Sequence, residues 1–512
     1  MRMKIKSVAR LAVAVVAVAA IVAGLWQLES ATAGLVVTPG RVGVVPITVF
    51  APVAGGPAPV VVVAHGFAGS QQLMLPFATT LARNGFRVVT FDFPGHGQNP
   101  APLQGGLTND AARNAVLMQA LDAVVGFAHG LPGGQQMALL GHSMASDIVV
   151  GYARAHPDIQ ATVAVSLFSP SVTAASPRNL LVIAGALEPG AIRDEGLRIA
   201  RMTAGDAAQQ RETYGRFEDG TARRSTLSGG VEHIGVLFSR QSLEEALNWL
   251  NQAFGREGEG VGNGWVDARG PWLGLLYLGL VALAWPLSAL LPQVAATPLG
   301  AGLGWRTLLP LAILPALFTP LILWRLPTDF LPSLLGDYLT VHYAVYGLLT
   351  AAGLWLARRP VQGRFSPGPF LAATALVAGY CILAIGLPID RYVTSFVLQP
   401  GRAPIMLAVL VGTLTYSLAD EWLTRGPGAR RGAYAATKAC FVLSLVLAIA
   451  LNPPRLFFLI IIVPVILLFL VVYGLFSGWA YRRTGHPVVG AVATALAFAW
   501  AIAATFPVVD RL

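Results

Sequence analysis

This sequence is short of charge. Of its 512 residues only 12% are Asp, Glu, Lys or Arg, while 55% are hydrophobic. An ordinary water-soluble chain is about 25% charged, so a wholly soluble protein is excluded and much of the chain belongs in lipid. Cysteine is almost missing too: Cys381 and Cys440 are the two present, and both fall inside predicted membrane helices. They build no disulfide framework and leave the redox compartment unread. The formal net charge of +10 would suit nucleic acid if it were concentrated on one domain. Residues 35–258, however, hold roughly equal numbers of Arg and of Asp plus Glu, so the excess belongs to the N-terminus and the loops between apolar runs. The expected macroscopic partner is a lipid bilayer, with no nucleic acid.

Before residue 271 long apolar runs are also lacking, except at the start. There MRMKIKSVAR precedes LAVAVVAVAAIVAGLW, the basic-then-apolar order of an export signal. Ala31-Thr32-Ala33 fits a small-x-small cleavage site, so residues 1–33 read either as a transmembrane anchor or as a signal peptide, and the domain after residue 33 is exported in both cases. From Pro271 on, apolar stretches of about 17 to 24 residues recur, each long enough to cross a ~30 Å hydrocarbon core. About eight helices are predicted, over 271–292, 308–326, 335–357, 369–389, 404–420, 434–452, 456–478 and 487–507. Arg358, Arg359 and Arg364, then Arg425, Arg430 and Arg431, then Arg482 and Arg483 fall in every second loop, which assigns those loops to the cytoplasm. Counting back puts 34–256 and the C-terminal Asp510-Arg511 outside. The expectation is a multi-pass protein of the cytoplasmic (inner) membrane with its soluble domain on the periplasmic or extracellular side.

Residues 34–256 alternate strand-like and helix-like segments. PVVVVAHG, FRVVTFDF, QMALLGH, TVAVSLF and LLVIAGA are separated by helical patterns, which implies an α/β fold with a doubly wound, mostly parallel sheet. After SLEEALNWLNQAF, the Gly-rich run at 257–270 reads as a linker into a membrane domain at 271–512, an all-α bundle.

Gly141-His142-Ser143-Met144-Ala145 lies between an apolar strand and a helix. Small residues around a serine at such a junction allow the tight turn that exposes Oγ beside free helix N-terminal amides. A serine that merely caps the helix shares half of this description.

Further motifs give the stretch its resemblance to the α/β-hydrolase superfamily, in its minimal, capless form similar to dienelactone-hydrolase-like esterases. His65-Gly66-Phe67-Ala68-Gly69-Ser70 looks like the oxyanion loop, and Phe91-Asp92-Phe93-Pro94-Gly95-His96-Gly97 is similar to a scaffold turn. The resemblance implies Ser143 as nucleophile, and the backbone amides of Phe67 and Met144 as the oxyanion hole. It implies Glu188, in a G-x-x-D/E pattern after LLVIAG, as the acid, with Asp194 as the rival position. The superfamily order Ser, acid, His leaves His233 as the base, since the later His342 and His486 lie in the membrane half. No metal or organic cofactor is implied.

Only about a dozen residues, SPSVTAASPRN, separate TVAVSLF from LLVIAGA, which leaves no room for a helical cap. The expectation is a membrane-bound serine hydrolase cleaving carboxylic esters, including lipid-like ones, with the membrane domain or the lipid surface completing the acyl pocket. A peptidase or amidase of the same fold, and an inert hydrolase-like sensor or binding domain, are the competing readings. In the membrane half, Tyr338, His342 and Tyr346 share a helix face near Asp337 and read as interhelical hydrogen bonders or an interfacial belt. Asp420-Glu421 and Arg425 read as a helix end with a Glu421–Arg425 i,i+4 pair.

Overall fold

The computed structural model describes residues 2–106, 109–256, 264–359 and 366–510. Arg364, Arg511 and positions 257–263 of the expected linker lie outside the described residues. The chain divides into two compact units. One takes the residues up to Val22, Leu275–Pro388 and Phe396–Phe506; the other takes Ala23–Gly274, Ile389–Ser395 and the residues from Pro507 onward.

The second unit is built on a nine-stranded sheet. In chain order the strands are β1 (Leu35–Val42), β2 (Val45–Pro52), β3 (Val60–Ala64), β4 (Arg87–Phe91), β5 (Met137–His142), β6 (Ile159–Val165), β7 (Leu180–Gly185), β8 (Thr213–Tyr214) and β9 (Arg223–Ser228), and in space they run β1-β2-β4-β3-β5-β6-β7-β9-β8. The central six are parallel, and the edges β1-β2 and β8 are antiparallel. Runs such as Val60-Val61-Val62-Val63 are apolar at every position because both faces of the sheet are covered.

With the N-terminal helix Arg2–Ser30 as α1, α2 (Leu75–Arg83) and α6 (Arg240–Ala253) bring Phe77, Leu81 and Trp249 to one face. On the other face α3 (Asp110–His129) and α4 (Met144–Ala155) bring Leu121, Val149 and Tyr152. The chain then passes from β4 over β3 to β5, which makes the carboxyl ends of β3 and β5 the switch point where α/β sheets bind ligands.

The five strands expected from the sequence are present; β1, β2, β8 and β9 were not anticipated. Most of β1 is exposed and is interrupted by Pro39-Gly40, so no buried periodicity marks it, and the hairpin turns at Gly43-Val44 with Gly43 at φ +58°. β9 begins with two arginines. The first, Arg223, is buried, and burial pushes its pKa down to about 10. Its guanidinium donates to the carbonyls of Ala222 and Thr173, contacts that only the tertiary fold supplies. Between β6 and β7, residues 166–179 contain no helix.

The second half of the Gly-rich run is not a free connector. Asp267 and Arg269 are buried and paired, the Asp267 amide donates to Thr80 Oγ1 at 3.0 Å, and the Thr79 hydroxyl donates to the Asp267 carboxylate. The Asn84 side chain reaches the Trp265 carbonyl at 2.7 Å, and Arg83 stacks on the Trp265 ring. Residues 264–269 are thereby tied to α2 and its C-terminus.

Among the described residues nine helices are long and apolar enough to cross a membrane: Ser7–Ser30, Gly270–Leu290, Trp305–Leu323, Gly336–Leu356, Pro367–Tyr392, Pro400–Thr424, Ala433–Leu451, Leu459–Thr484 and Pro487–Thr505. They are compatible with a multi-pass membrane protein. The sixth runs past the predicted end at 420 because its charges find partners. Asp420 pairs with Lys438 of the next helix, and Arg425 Nε lies 2.9 Å from Glu421 Oε2. Where the helices Gly336–Leu356 and Pro400–Thr424 cross, both have glycine: a Cβ on Gly412 would collide with the Thr340 carbonyl, and one on Gly347 would lie 2.5 Å from the Tyr416 amide.

The polar face predicted on the helix Gly336–Leu356 is internal. The Tyr338 hydroxyl pairs with His342 Nδ1 at 3.3 Å, and Tyr346 donates to the Ala312 carbonyl of the preceding helix. His486 caps the last helix by accepting from the Val488 amide. Among the described residues no group of three or more His, Cys, Asp or Glu is placed to hold a metal ion.

Candidate active site

Ser143 stands between β5 and α4 with φ +54° and ψ −118°, a conformation that costs a non-glycine residue on the order of 1–3 kcal/mol. Its neighbours are small because there is no space: a Cβ on Gly141 would sit 2.5 Å from the Ala145 carbonyl, and one on Gly66 would sit 3.0 Å from Ser143 Cβ. Ala145, where a glycine is common in such motifs, is fully buried here. The serine makes no side-chain cap to α4; its Oγ lies 2.8 Å from His233 Nε2.

His233 comes from the turn after β9. Its Nδ1 lies 2.5 Å from Glu188 Oε1. Glu188 comes just after β7, and its carboxylate is held from the other side by the Gly185 amide at 2.6 Å and the Ser166 hydroxyl at 3.0 Å, both donating to Oε2. The Glu188 side chain is 0% exposed, against 14% for His233. One carboxylate oxygen is thus anchored by the frame, and the other is aimed at the imidazole. Asp194, the rival, lies exposed on α5 (Gly190–Ala204). The structure therefore brings together the three side chains expected from the sequence, and it adds two anchors that were not expected. Ser166 is hidden at the end of TVAVSLF, and a backbone amide carries no sequence signal.

His142 is a further contact that was not foreseen. Its Nε2 lies 3.0 Å from the His233 carbonyl, so the proton on Nε2 supports the loop that carries the base. Burial is the main reason its pKa lies well below the ordinary histidine value, which keeps the ring neutral.

The loop after β3 lies beside the nucleophile. It is closed by the Gly69 amide donating to the Gly66 carbonyl at 3.1 Å, with Ala68 at φ +54°. His65 is a strut in this loop. Its Nε2 accepts from the Phe93 amide, so Nδ1 carries the proton donated to the Gly66 carbonyl. Asp92 ties two loops together by accepting from the amides of Gln71 and Gln98, at 2.8 and 2.9 Å. Met144 opens α4, so its amide has no carbonyl within the helix to reach. Met144 follows Ser143 directly, and Phe67 follows Gly66, where a Cβ would lie 3.0 Å from Ser143 Cβ.

Buried neutral histidines give acid sensitivity a predictable sign. Burial lowers the pKa of both His65 and His142 from the ordinary value of 6.5. The unfolded chain binds these protons more readily than the folded chain does, so their contribution to stability is complete above about pH 6.5 and is lost as pH falls. Burial raises the Asp92 pKa, which works in the opposite direction between its two pKa values. The unfolding midpoint of the full-length protein in detergent is expected to fall from about pH 7 to about pH 5, and to fall less steeply in His65→Gln. Equal slopes in the two proteins would refute the assignment.

Residues 55–191 match the family model described as serine aminopeptidase, S33. None of the curated proteins matches the chain. Among solved structures, a protein described as a dienelactone hydrolase from Klebsiella pneumoniae is 15% identical, with a TM-score of 0.32, over 43% of this chain and 99% of its own. An epoxide hydrolase from Vigna radiata is 14% identical, with a TM-score of 0.31, over 44% of this chain and 99% of its own. The sheet order, the strained serine at the switch point and the family match have one common reading: this chain carries an α/β-hydrolase domain, joined to a series of long apolar helices.

Proposed function

We propose that the domain is a serine hydrolase that cleaves carboxylic esters, with lipid-like or membrane-partitioning esters as its substrate class, on the outer side of the cytoplasmic membrane. The observation that carries this reading is the relay from Ser143 Oγ through His233 to Glu188, at 2.8 and 2.5 Å, with the carboxylate pinned from behind. In the reaction Ser143 Oγ attacks the carbonyl carbon and its proton passes to His233 Nε2. Glu188 stabilises the resulting imidazolium, and the amides of Phe67 and Met144 donate to the oxyanion. Collapse breaks the ester C–O bond, and the leaving alcohol takes the proton from His233. Water then gives a proton to His233 and attacks the acyl-enzyme, releasing the acid and returning the proton to Ser143.

Esters are favoured over amides because residues 166–179, where a helical cap would be inserted, contain no helix. Export rests on the basic N-terminus and the alternating arginine loops. The match to a serine aminopeptidase model favours a second reading, amide or peptide cleavage by the same groups. A chain-length series of p-nitrophenyl esters set against aminoacyl anilides separates the two. Turnover of esters, rising with acyl length, is the expected outcome; preference for anilides would transfer the assignment to a peptidase. Failure of a fluorophosphonate probe to label the wild type would leave an inert binding domain.

A further inference from the structure

The hydrolase unit contains a piece of chain from far along the sequence. Ile389–Ser395, the last turn of the apolar helix Pro367–Tyr392 and the three residues after it, belongs to the same compact unit as the sheet. Its tip meets the loop after β3. The Ser395 amide donates to Ser70 Oγ at 2.8 Å, and Ser70 Oγ also pairs with Thr394 Oγ1 at 3.1 Å. Ser70 is fully buried and Ser395 nearly so. The Ser395 hydroxyl in turn accepts from Gln98 Nε2 at 2.6 Å. The Gln98 amide donates to Asp92, and Asp92 accepts from the amide of Gln71, the neighbour of Ser70. The hydrogen bonds therefore close a ring through two loops of the hydrolase and one inter-helix segment. A second late segment grips the same region: Val508 exchanges backbone bonds with Gly95 and Leu103, at 2.9 and 2.8 Å.

We infer that Ile389–Ser395 is a positioning element for the oxyanion loop, with Ser70 as the residue through which it acts. Ser70 directly follows the turn Gly66–Gly69, which carries the Phe67 amide and holds Ala68 at φ +54°. A loop with backbone strain keeps its geometry only when its surroundings over-determine it, and two of the constraints here come from Thr394 and Ser395. An oxyanion donor works by pre-set position, so a shift of a fraction of an ångström lowers transition-state binding while substrate binding is untouched. A segment more than 300 residues away in sequence then supplies part of the catalytic frame.

This inference rests on the ester-hydrolase reading, and the test separates the two. It uses the full-length protein in detergent. Ser70→Ala is expected to lower kcat by about 5- to 30-fold, a fraction of the loss of a whole oxyanion donor, with KM unchanged. Inhibition by a trifluoromethyl ketone, which forms the tetrahedral adduct, should weaken in the same proportion. Ser70→Thr, which keeps the hydroxyl, should restore both. Ser395→Pro removes the donating amide from the other side of the contact. Both it and Ser70→Ala should speed deuterium uptake over residues 65–74. Ester turnover and ketone inhibition in Ser70→Ala equal to those of the wild type would overturn the inference and leave the ester reading standing. If the wild type turns over no ester, that reading falls, and the uptake experiment alone decides: faster exchange in Ser395→Pro supports the positioning role, and unchanged exchange overturns it.

Discussion

Ser143→Ala is expected to lower kcat/KM for p-nitrophenyl esters by a factor on the order of 10⁴ or more, with the fold intact. Alanine keeps the Cβ that faces Gly66 and removes only Oγ, whose partner is His233. No cap of α4 is lost, because the serine makes none. The residual rate should reflect oxyanion binding and substrate positioning alone. Ser143→Gly should be equally inactive. It should also be more stable than Ser143→Ala by an amount on the order of 1 kcal/mol, since φ +54° strains alanine but not glycine. Calorimetry in detergent and steady-state turnover read the two effects separately. Ester turnover that survives in Ser143→Ala would end the proposed mechanism.

The parts of the site that could be read in the sequence are those whose signal is local. β5 shows as a short apolar run that stops at small residues, with the serine immediately after it. Glu188 stands at a fixed offset from the end of β7, and His233 falls just before the last helix of the domain. What escaped is non-local. Gln98 and Ser395 meet across 297 positions, and nothing near either residue announces the other. The helix ending at Thr424 reads short in the sequence for the same reason: Asp420 looks like a terminus until Lys438 is brought against it. The edge strand β1, largely exposed, has no apolar alternation to betray it.

The Glu188 carboxylate carries a prediction of comparable size to that for Ser143. Its two oxygens have different tasks: Oε2 accepts from the Gly185 amide and the Ser166 hydroxyl, while Oε1 faces His233 Nδ1. In Glu188→Gln the amide oxygen is the group able to replace Oε2, because two donors converge there. The NH₂ is then forced to face His233 Nδ1. An N–H aimed at Nδ1 requires that nitrogen to accept, which moves the imidazole proton to Nε2. With Nε2 protonated, the ring cannot take the proton of Ser143. The expected loss in kcat is about 10⁴-fold from the wrong tautomer alone, with the packing preserved. Asp194→Asn is the matched control: that carboxyl is exposed on α5 and should leave turnover unchanged. If Glu188→Gln retains kcat while Asp194→Asn loses it, the acid is Asp194, and the relay drawn from the 2.5 Å contact is not the one that works.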